Sequence, residues 1–346
     1  MTFRPTYRRV HILPSLLTLG NFACGFFSIV FCLNALYFAS RAQTLSPGEQ
    51  TGVRGIEVGA PADIRKRDAE FRNSAVGLME RSSYLLQWAC VILFLGMAFD
   101  MLDGRVARLM GASSAFGREL DSLADVITSG IAPPIIVNTL WITVMPTATS
   151  WWGQVLVFGF IFAACAMLRL ARYNIQDGTE DKNVFSGLPT PAAAGCVVTA
   201  VMVAYGDYPL IERVCSYLDA LIGPSMNAFQ VKVNLLALYQ IIPALLMVSS
   251  VPFVHVANRY LSGKKSFALL VVAVIMLGLF WQDPRLFMFF CFNGYMAWSL
   301  IAYARRKWWG KTNDPVFSVV DAVAEGGDSR PDADTVSDKP EPDEKA

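Results

Sequence analysis

Eight stretches of this chain, roughly residues 14–38, 84–107, 119–143, 152–172, 191–211, 234–256, 267–282 and 286–304, are apolar over lengths that approach or exceed a bilayer's hydrocarbon core. Such a run is not the half-buried helix of a soluble protein, because no side of it is polar. Inside a bilayer every backbone N–H and C=O must find its partner within the chain, so these runs have to be helices. The expected fold class is an all-α integral membrane protein with about eight transmembrane helices. Composition agrees, with 54% of the 346 residues hydrophobic and 16% charged.

The amino end is basic and then apolar, like a secretion signal, but its apolar part is too long for a signal core and reads as the first span. Lys and Arg orient the spans. Arg4, Arg8 and Arg9 precede the first, Arg105, Arg108 and Arg118 join the second to the third, and Arg169, Arg172 and Lys182 follow the fourth. Arg259, Lys264 and Lys265 follow the sixth, and Arg305, Arg306, Lys307 and Lys311 follow the eighth. All five segments are expected on the cytoplasmic side. The loop from Arg41 to Arg81 carries seven Lys or Arg and six acids yet falls outside by this count, as long loops can. Within it, "ADIRKRDAEFRNSAVGLMERSS" suits an exposed helix. Trp141, Trp151, Trp152 and Trp281 are expected at the outer interface, and Trp308 and Trp309 at the inner one.

Several function classes drop out. A net charge of +1 gives no reason to propose nucleic acid as a partner. The seven cysteines lie mostly in apolar runs without CxxC or Cys/His pairing, which argues against a zinc site or a disulfide framework. His11 and His255 have no matching partner and suit interfacial positions. The acidic, proline-bearing end after Asn313 has too few apolar residues for a core and reads as a disordered cytoplasmic tail.

One segment breaks the apolar pattern. "DMLDGRVARLMGASSAFGRELDSLAD", Asp100 to Asp125, puts four aspartates at the end of one apolar stretch and the start of the next. A helix advances about 100° per residue, so Asp103, Gly104, Ala107 and Arg108 fall at roughly −60°, +40°, −20° and +80° from Asp100, on one face. Gly117, Asp121 and Asp125 follow at i, i+4 and i+8, again on one face. The short connection makes the two helices antiparallel neighbours whose acidic faces share a space. Lone aspartates near helix ends are ordinarily caps or solvated groups; four at these spacings repel one another unless a positive charge sits among them. A divalent cation supplies it, and all-oxygen donors select Mg²⁺ or Mn²⁺, with Ca²⁺ also compatible. Gly104, Ala107 and Gly117 leave the helix surfaces bare enough for a flat ligand. Arg108 can contact that ligand or pair with a neighbouring aspartate.

Asp100-x-x-Asp103-Gly104-x-x-Ala107-Arg108, eight residues, then Gly117-x-x-x-Asp121-x-x-x-Asp125 resembles the complete signature of the CDP-alcohol phosphatidyltransferase family, integral membrane enzymes of phospholipid synthesis. The resemblance covers roughly Leu13 to Tyr205. It implies a six-helix core typical of the family, and the expected organisation is a catalytic unit at 1–211 with an exposed insertion at 41–82, additional membrane helices at 212–308 and a tail at 309–346. It implies that Asp100, Asp103, Asp121 and Asp125 hold the metal and that Asp125 also takes a proton from the incoming hydroxyl. Asp103, Gly104, Ala107, Arg108 and Gly117 would bind the CDP moiety.

Softer motifs narrow the acceptor. "ELDSLADVITSGIAPP", "RLARYNI" and "FSGLPTPAAAG" resemble the branch that transfers a phosphatidyl group from CDP-diacylglycerol to L-serine and releases CMP. Ser129, Gly130, Pro133 and Pro134 fall inside the third span, where a proline pair frees carbonyls and bends a helix, around a cavity or simply for packing. Arg169 and Arg172, at i and i+3, suit a substrate phosphate or the serine carboxylate and also suit ordinary topology. Asn174 could bond the amino acid. The opening "PSLLTLGN" is similar to the family's "PNxxTxxN" with Ser15 in place of Asn, which leaves Thr18 and Asn21 as phosphate neighbours. The expected partners are CDP-diacylglycerol, L-serine and membrane lipid, in a homodimer of the inner membrane with its site facing the cytoplasm. Rival readings are the same chemistry with glycerol 3-phosphate, inositol phosphate or choline, a cation transporter, and a lipidic scaffold without catalysis.

Overall fold

Each of the eight apolar stretches contains helix in the computed structural model, which describes residues 12–45, 74–110, 115–145, 152–176, 184–206, 208–222, 228–249, 251–254 and 267–309. In chain order these form α1 (Ile12–Thr44), α2 (Ala75–Leu109), α3 (Ala115–Asp125), a π-helical turn (Val126–Ile131), α4 (Ala132–Val144), α5 (Trp152–Gln176) and β1 (Val184–Ser186). There follow α6 (Thr190–Ala204), α7 (Pro209–Ile222), α8 (Ala228–Tyr239), α9 (Ile241–Val248), β2 (Pro252–Val254), α10 (Phe267–Gln282) and α11 (Pro284–Trp309). The protein is a helical, multi-pass membrane protein.

Among the described residues six segments are long and apolar enough to cross a membrane: Leu13–Thr44, Ala75–Val106, Phe116–Val144, Gly153–Asn174, Ala228–Val248 and Pro284–Arg305. A seventh, α6 with α7, qualifies only as a pair bent by 90°. The seventh expected stretch, 267–282, is α10, whose 16 residues rise about 24 Å, short of a hydrocarbon core of about 30 Å. The sixth, expected at 234–256, instead starts at Ala228, breaks at Gln240 and ends at Val248. Pro243 explains the break, since it has no N–H for the carbonyl four residues back at Tyr239.

The expected insertion at 41–82 overlaps helix at both ends. α1 continues to Thr44, and α2 already begins at Ala75, where the Ser74 hydroxyl accepts the Gly77 N–H at 3.2 Å and caps the helix. Of the helix expected over residues 62–83, residues 75–83 form the first turns of α2, and residues 46–73 lie outside the described set, as do His11, His255 and the tail from residue 310.

α1 and α2 pack antiparallel, and their contacts fix a register. Ser82 Oγ donates to the Ala35 carbonyl at 2.9 Å and Ser28 Oγ to the Ala89 carbonyl at 3.0 Å. Gly20 lies against the Phe99 ring. As one residue number rises the other falls, so the start of α1 meets the acidic end of α2. The third span is the most enclosed: 67% of its most apolar window is buried, against 28% for that of α2 and 11% for that of α11, and the π-turn and α4 form the middle of the bundle. Trp141, expected at the outer interface, is instead buried on α4 and donates its indole N–H to Asn234 Oδ1 of α8 at 2.9 Å. Pairing the N–H inside the protein removes its need for the wet interface.

Two three-residue strands form the antiparallel ribbon β1–β2, with Phe185 opposite Phe253. Gly187 follows with φ +86°, a conformation that favours glycine, and its N–H reaches the Val251 carbonyl at 2.9 Å. This turn delivers the chain into α6 at Thr190. All seven cysteines are free thiols.

Candidate functional site

The α1–α2 register places Thr18 beside Asp103. The Thr18 hydroxyl is within hydrogen-bonding reach of that carboxylate and of the Pro14 carbonyl, at 3.1 Å from the latter. α3 returns along the same end of the bundle and brings in Asp121. One carboxylate oxygen from each of Asp100, Asp103 and Asp121 lies within 4.8 Å of the other two. Two oxygens that share a cation at about 2.1–2.4 Å are at most about 4.2–4.8 Å apart, so one hard ion can span the group. Asp103 Oδ2 and Asp121 Oδ1 are buried and have no hydrogen-bond partner. Buried anionic oxygens left unpaired are costly. Oxygen donors, convergence and unmet acceptors together fit a hard divalent cation.

Asp125 stands slightly apart from this trio. It lies one helical turn deeper than Asp121, within electrostatic range of the other three carboxylates, and its Oδ1 accepts an N–H from Asn21 at 3.1 Å. Asn21 is fully buried, and its backbone carbonyl accepts the Thr128 hydroxyl at 3.2 Å. Gly25 makes that approach possible, since a Cβ there would stand 2.7 Å from Thr128 Oγ1. Directly after Asp125 the helix widens to the π-turn. Pro133 and Pro134 cannot donate to the carbonyls of Ser129 and Gly130, and widening is how the backbone accommodates their missing donors.

The other expected site residues divide. Gly104 is exposed, with nothing within 4 Å of where its Cβ would stand, so the helix surface there is open. Gly117 is half-buried on α3, and Ala107 and Arg108 continue α2, their side chains lying outside the described set. Ser129 is buried in the π-turn. On α5, Arg169 is half-buried, donates from Nη1 to Thr190 Oγ1 at 2.8 Å and lies within electrostatic range of Asp125, whereas Arg172 is exposed. Asn174 Nδ2 donates to Ser122 Oγ at 3.1 Å and ties the end of α5 to α3. Ser15 is half-buried in the first turn of α1.

Thr128 and Thr190 are not singled out by sequence, nor is the hydrogen bond by which Asn21 holds the fourth aspartate. Thr190 lies in a quoted motif, "FSGLPTPAAAG", but nothing in the motif marks its hydroxyl as the acceptor for an arginine.

The family model for CDP-alcohol phosphatidyltransferase matches residues 74–224, the stretch that carries all four aspartates. A Bacillus subtilis relative named CDP-diacylglycerol–serine O-phosphatidyltransferase is 33% identical over 129 residues, covering 68% of its length and 36% of this chain. The chain belongs to the CDP-alcohol phosphatidyltransferase family. Two further relatives carry the same name. The Helicobacter pylori protein is 39% identical over 122 residues, 49% of its length and 35% of this chain. The Mycobacterium leprae protein is 42% identical over 104 residues, 32% of its length and 29% of this chain. The chain thus spans about half the length of the Helicobacter relative, and the family segment ends before α8.

Proposed function

We propose that this protein transfers a phosphatidyl group from CDP-diacylglycerol to the hydroxyl of L-serine, giving phosphatidylserine and CMP. In this reading Asp100, Asp103 and Asp121 hold a divalent cation, with Asp125 at the margin of the same centre. When bound, that cation supplies positive charge for the pyrophosphate and the departing phosphate. Asp125, fixed by Asn21, accepts the hydroxyl proton as the serine oxygen bonds to the lipid-side phosphorus and the bond from that phosphorus to the CMP oxygen breaks. The open surface at Gly104, with Asp103, Ala107, Arg108 and Gly117, receives the CDP moiety. Thr18, Ser129, Arg169 and Arg172 are the candidates for phosphate or serine contacts.

The observation that carries the reading is the trio of converging carboxylates with unmet buried oxygens, inside the segment that the family model matches. The serine acceptor is supported by the names of the relatives. We further propose a catalytic unit over 1–211 with added helices over 212–308 and a tail from 309, set in the cytoplasmic membrane as a homodimer whose site opens to the cytoplasm. Purified protein given labelled CDP-diacylglycerol and each alcohol in turn tests the activity. Phosphatidylserine and CMP in equal amounts are expected. A product formed only with glycerol 3-phosphate, inositol phosphate or choline would reassign the acceptor, and cation flux in proteoliposomes without lipid product would displace the enzyme reading.

A further inference from the structure

α8 to α11 lie past the family segment 74–224, yet Tyr295 of α11 lies within electrostatic range of Arg169. α6 begins at Thr190, a fully buried residue whose hydroxyl accepts the Arg169 N–H at 2.8 Å. α6 is locked to α11 by a small polar network. Cys196 Sγ donates to the Phe292 carbonyl at 3.4 Å, Asn293 Nδ2 donates to Thr199 Oγ1 at 3.2 Å, and the Tyr239 hydroxyl of α8 donates to Asn293 Oδ1. Two residues beyond Asn293, Tyr295 interacts electrostatically with Arg169. Its ring stands 5.9 Å from that of Phe253, a fully buried residue of β2. β2 pairs with β1, and β1 leads through the Gly187 turn to Thr190. One packed unit therefore holds Thr190 in a hydrogen bond to the Arg169 guanidinium and Tyr295, from a separate helix, within electrostatic range of it.

Resting on the reaction proposed above, we propose that Tyr295 and Thr190 are positioning residues that fix Arg169 as the anion clamp of the site, with Tyr295 supplied by a helix outside the family segment. A guanidinium grips a carboxylate or phosphate through paired N–H groups only when its plane is fixed, and a long arginine side chain does not fix itself. The clamped group is an anionic oxygen pair, either the amino acid's carboxylate or the lipid donor's phosphate. Arg169 also lies within range of Asp125, so the same placement sets the anion beside the proposed base.

The test uses the purified full chain with CDP-diacylglycerol, L-serine and Mn²⁺, varying each substrate in turn. Tyr295→Phe keeps the ring against Phe253 and removes the hydroxyl; Thr190→Val keeps the shape and removes the acceptor. Each is expected to raise one substrate's KM about tenfold, the scale of one hydrogen bond to a charged group, while kcat stays within about twofold and the melting temperature holds. A rise in the serine KM assigns the clamp to the carboxylate, and a rise in the CDP-diacylglycerol KM assigns it to the phosphate. In an Arg169→Ala background neither substitution should add anything. Unchanged KM values in an active enzyme, or effects that add fully to Arg169→Ala, overturn the inference alone. Wild-type protein without serine-dependent CMP release overturns the proposed reaction and this inference with it. If Tyr295→Phe does not fold, Thr190→Val and its Arg169→Ala double variant decide by the same KM comparison.

Discussion

Two groups of carboxylates in this protein are treated in opposite ways. Asp283 precedes α11, where it accepts the Tyr208 hydroxyl at 2.8 Å and the backbone N–H groups of Arg285 and Leu286 at 3.0 and 3.2 Å. Next to it Arg285 Nη2 donates to Gln87 Oε1 of α2 at 2.9 Å. Sixteen residues further along α2, about 24 Å away, lies Asp103, one of whose oxygens has no partner at all. A carboxylate with its lone pairs used is a fastening, and a buried one left wanting is a place for a ligand. The difference predicts that one group governs stability and the other activity.

The strongest way to break that contrast is to remove metal. Chelation by EDTA should stop turnover entirely, and added Mn²⁺ or Mg²⁺ should restore it while raising the melting temperature; chelator-insensitive product formation would refute the metal centre. Next, Asp125→Asn should cut kcat by about 10²–10⁴-fold, the usual range for a lost general base, while nucleotide binding is partly spared. Full activity in that variant would end its assignment as the base. Smaller still is a stability effect of unusual sign. In metal-free protein Asp121→Asn should raise stability by ~1–3 kcal/mol, because it neutralises a buried oxygen that has no partner. A loss of metal-free stability would mean that the carboxylates hold the fold together rather than wait for an ion.

The acidic pair of helices was the most legible part of the molecule, for a physical reason. Asp100, Asp103, Asp121 and Asp125 lie on two regular helices joined by a short connection, so helical geometry alone nearly places them. What spacing could not reach were contacts between helices far apart in sequence. Asn21 and Asp125 are 104 residues apart, and their hydrogen bond depends on how three helices pack. Arg169 and Thr190 meet because a two-strand ribbon and one left-handed glycine steer the chain, and neither carries a hydropathy signal. Apolar length also misled where the backbone was interrupted. The stretch 234–256 is greasy throughout, but Pro243 divides it, and the Pro133–Pro134 pair produces a π-turn that no apolar pattern announces. Asp283-Pro284 is a cap followed by a first-turn proline, a signal present in the letters that acquires meaning only once α11 is seen to begin there.

The fastening itself can be tested at smaller scale. Asp283→Ala removes the cap of α11 and the Tyr208 bond, and should cost about 1 kcal/mol in detergent-solubilised protein while leaving kcat and KM in place. Asp283→Asn isolates the charge. Burial acts to raise the Asp283 pKa, but the Leu286 N–H, the Tyr208 hydroxyl and the Arg285 N–H outweigh it and hold the carboxyl below its ordinary value. A depressed folded pKa means that the ionised form is the one the fold prefers. Its contribution is therefore complete above the unfolded value of about 3.9 and disappears as pH falls through the lower folded value. Unfolding midpoints of wild type and Asp283→Asn should differ by a constant amount from pH 7 to about pH 5 and converge below about pH 4. The site carboxylates titrate in both proteins and cancel in the difference. A gap that persists undiminished at pH 3 would show that protonation does not release the α11 cap, and the contrast between a fastened and an unmet carboxylate would lose its structural half.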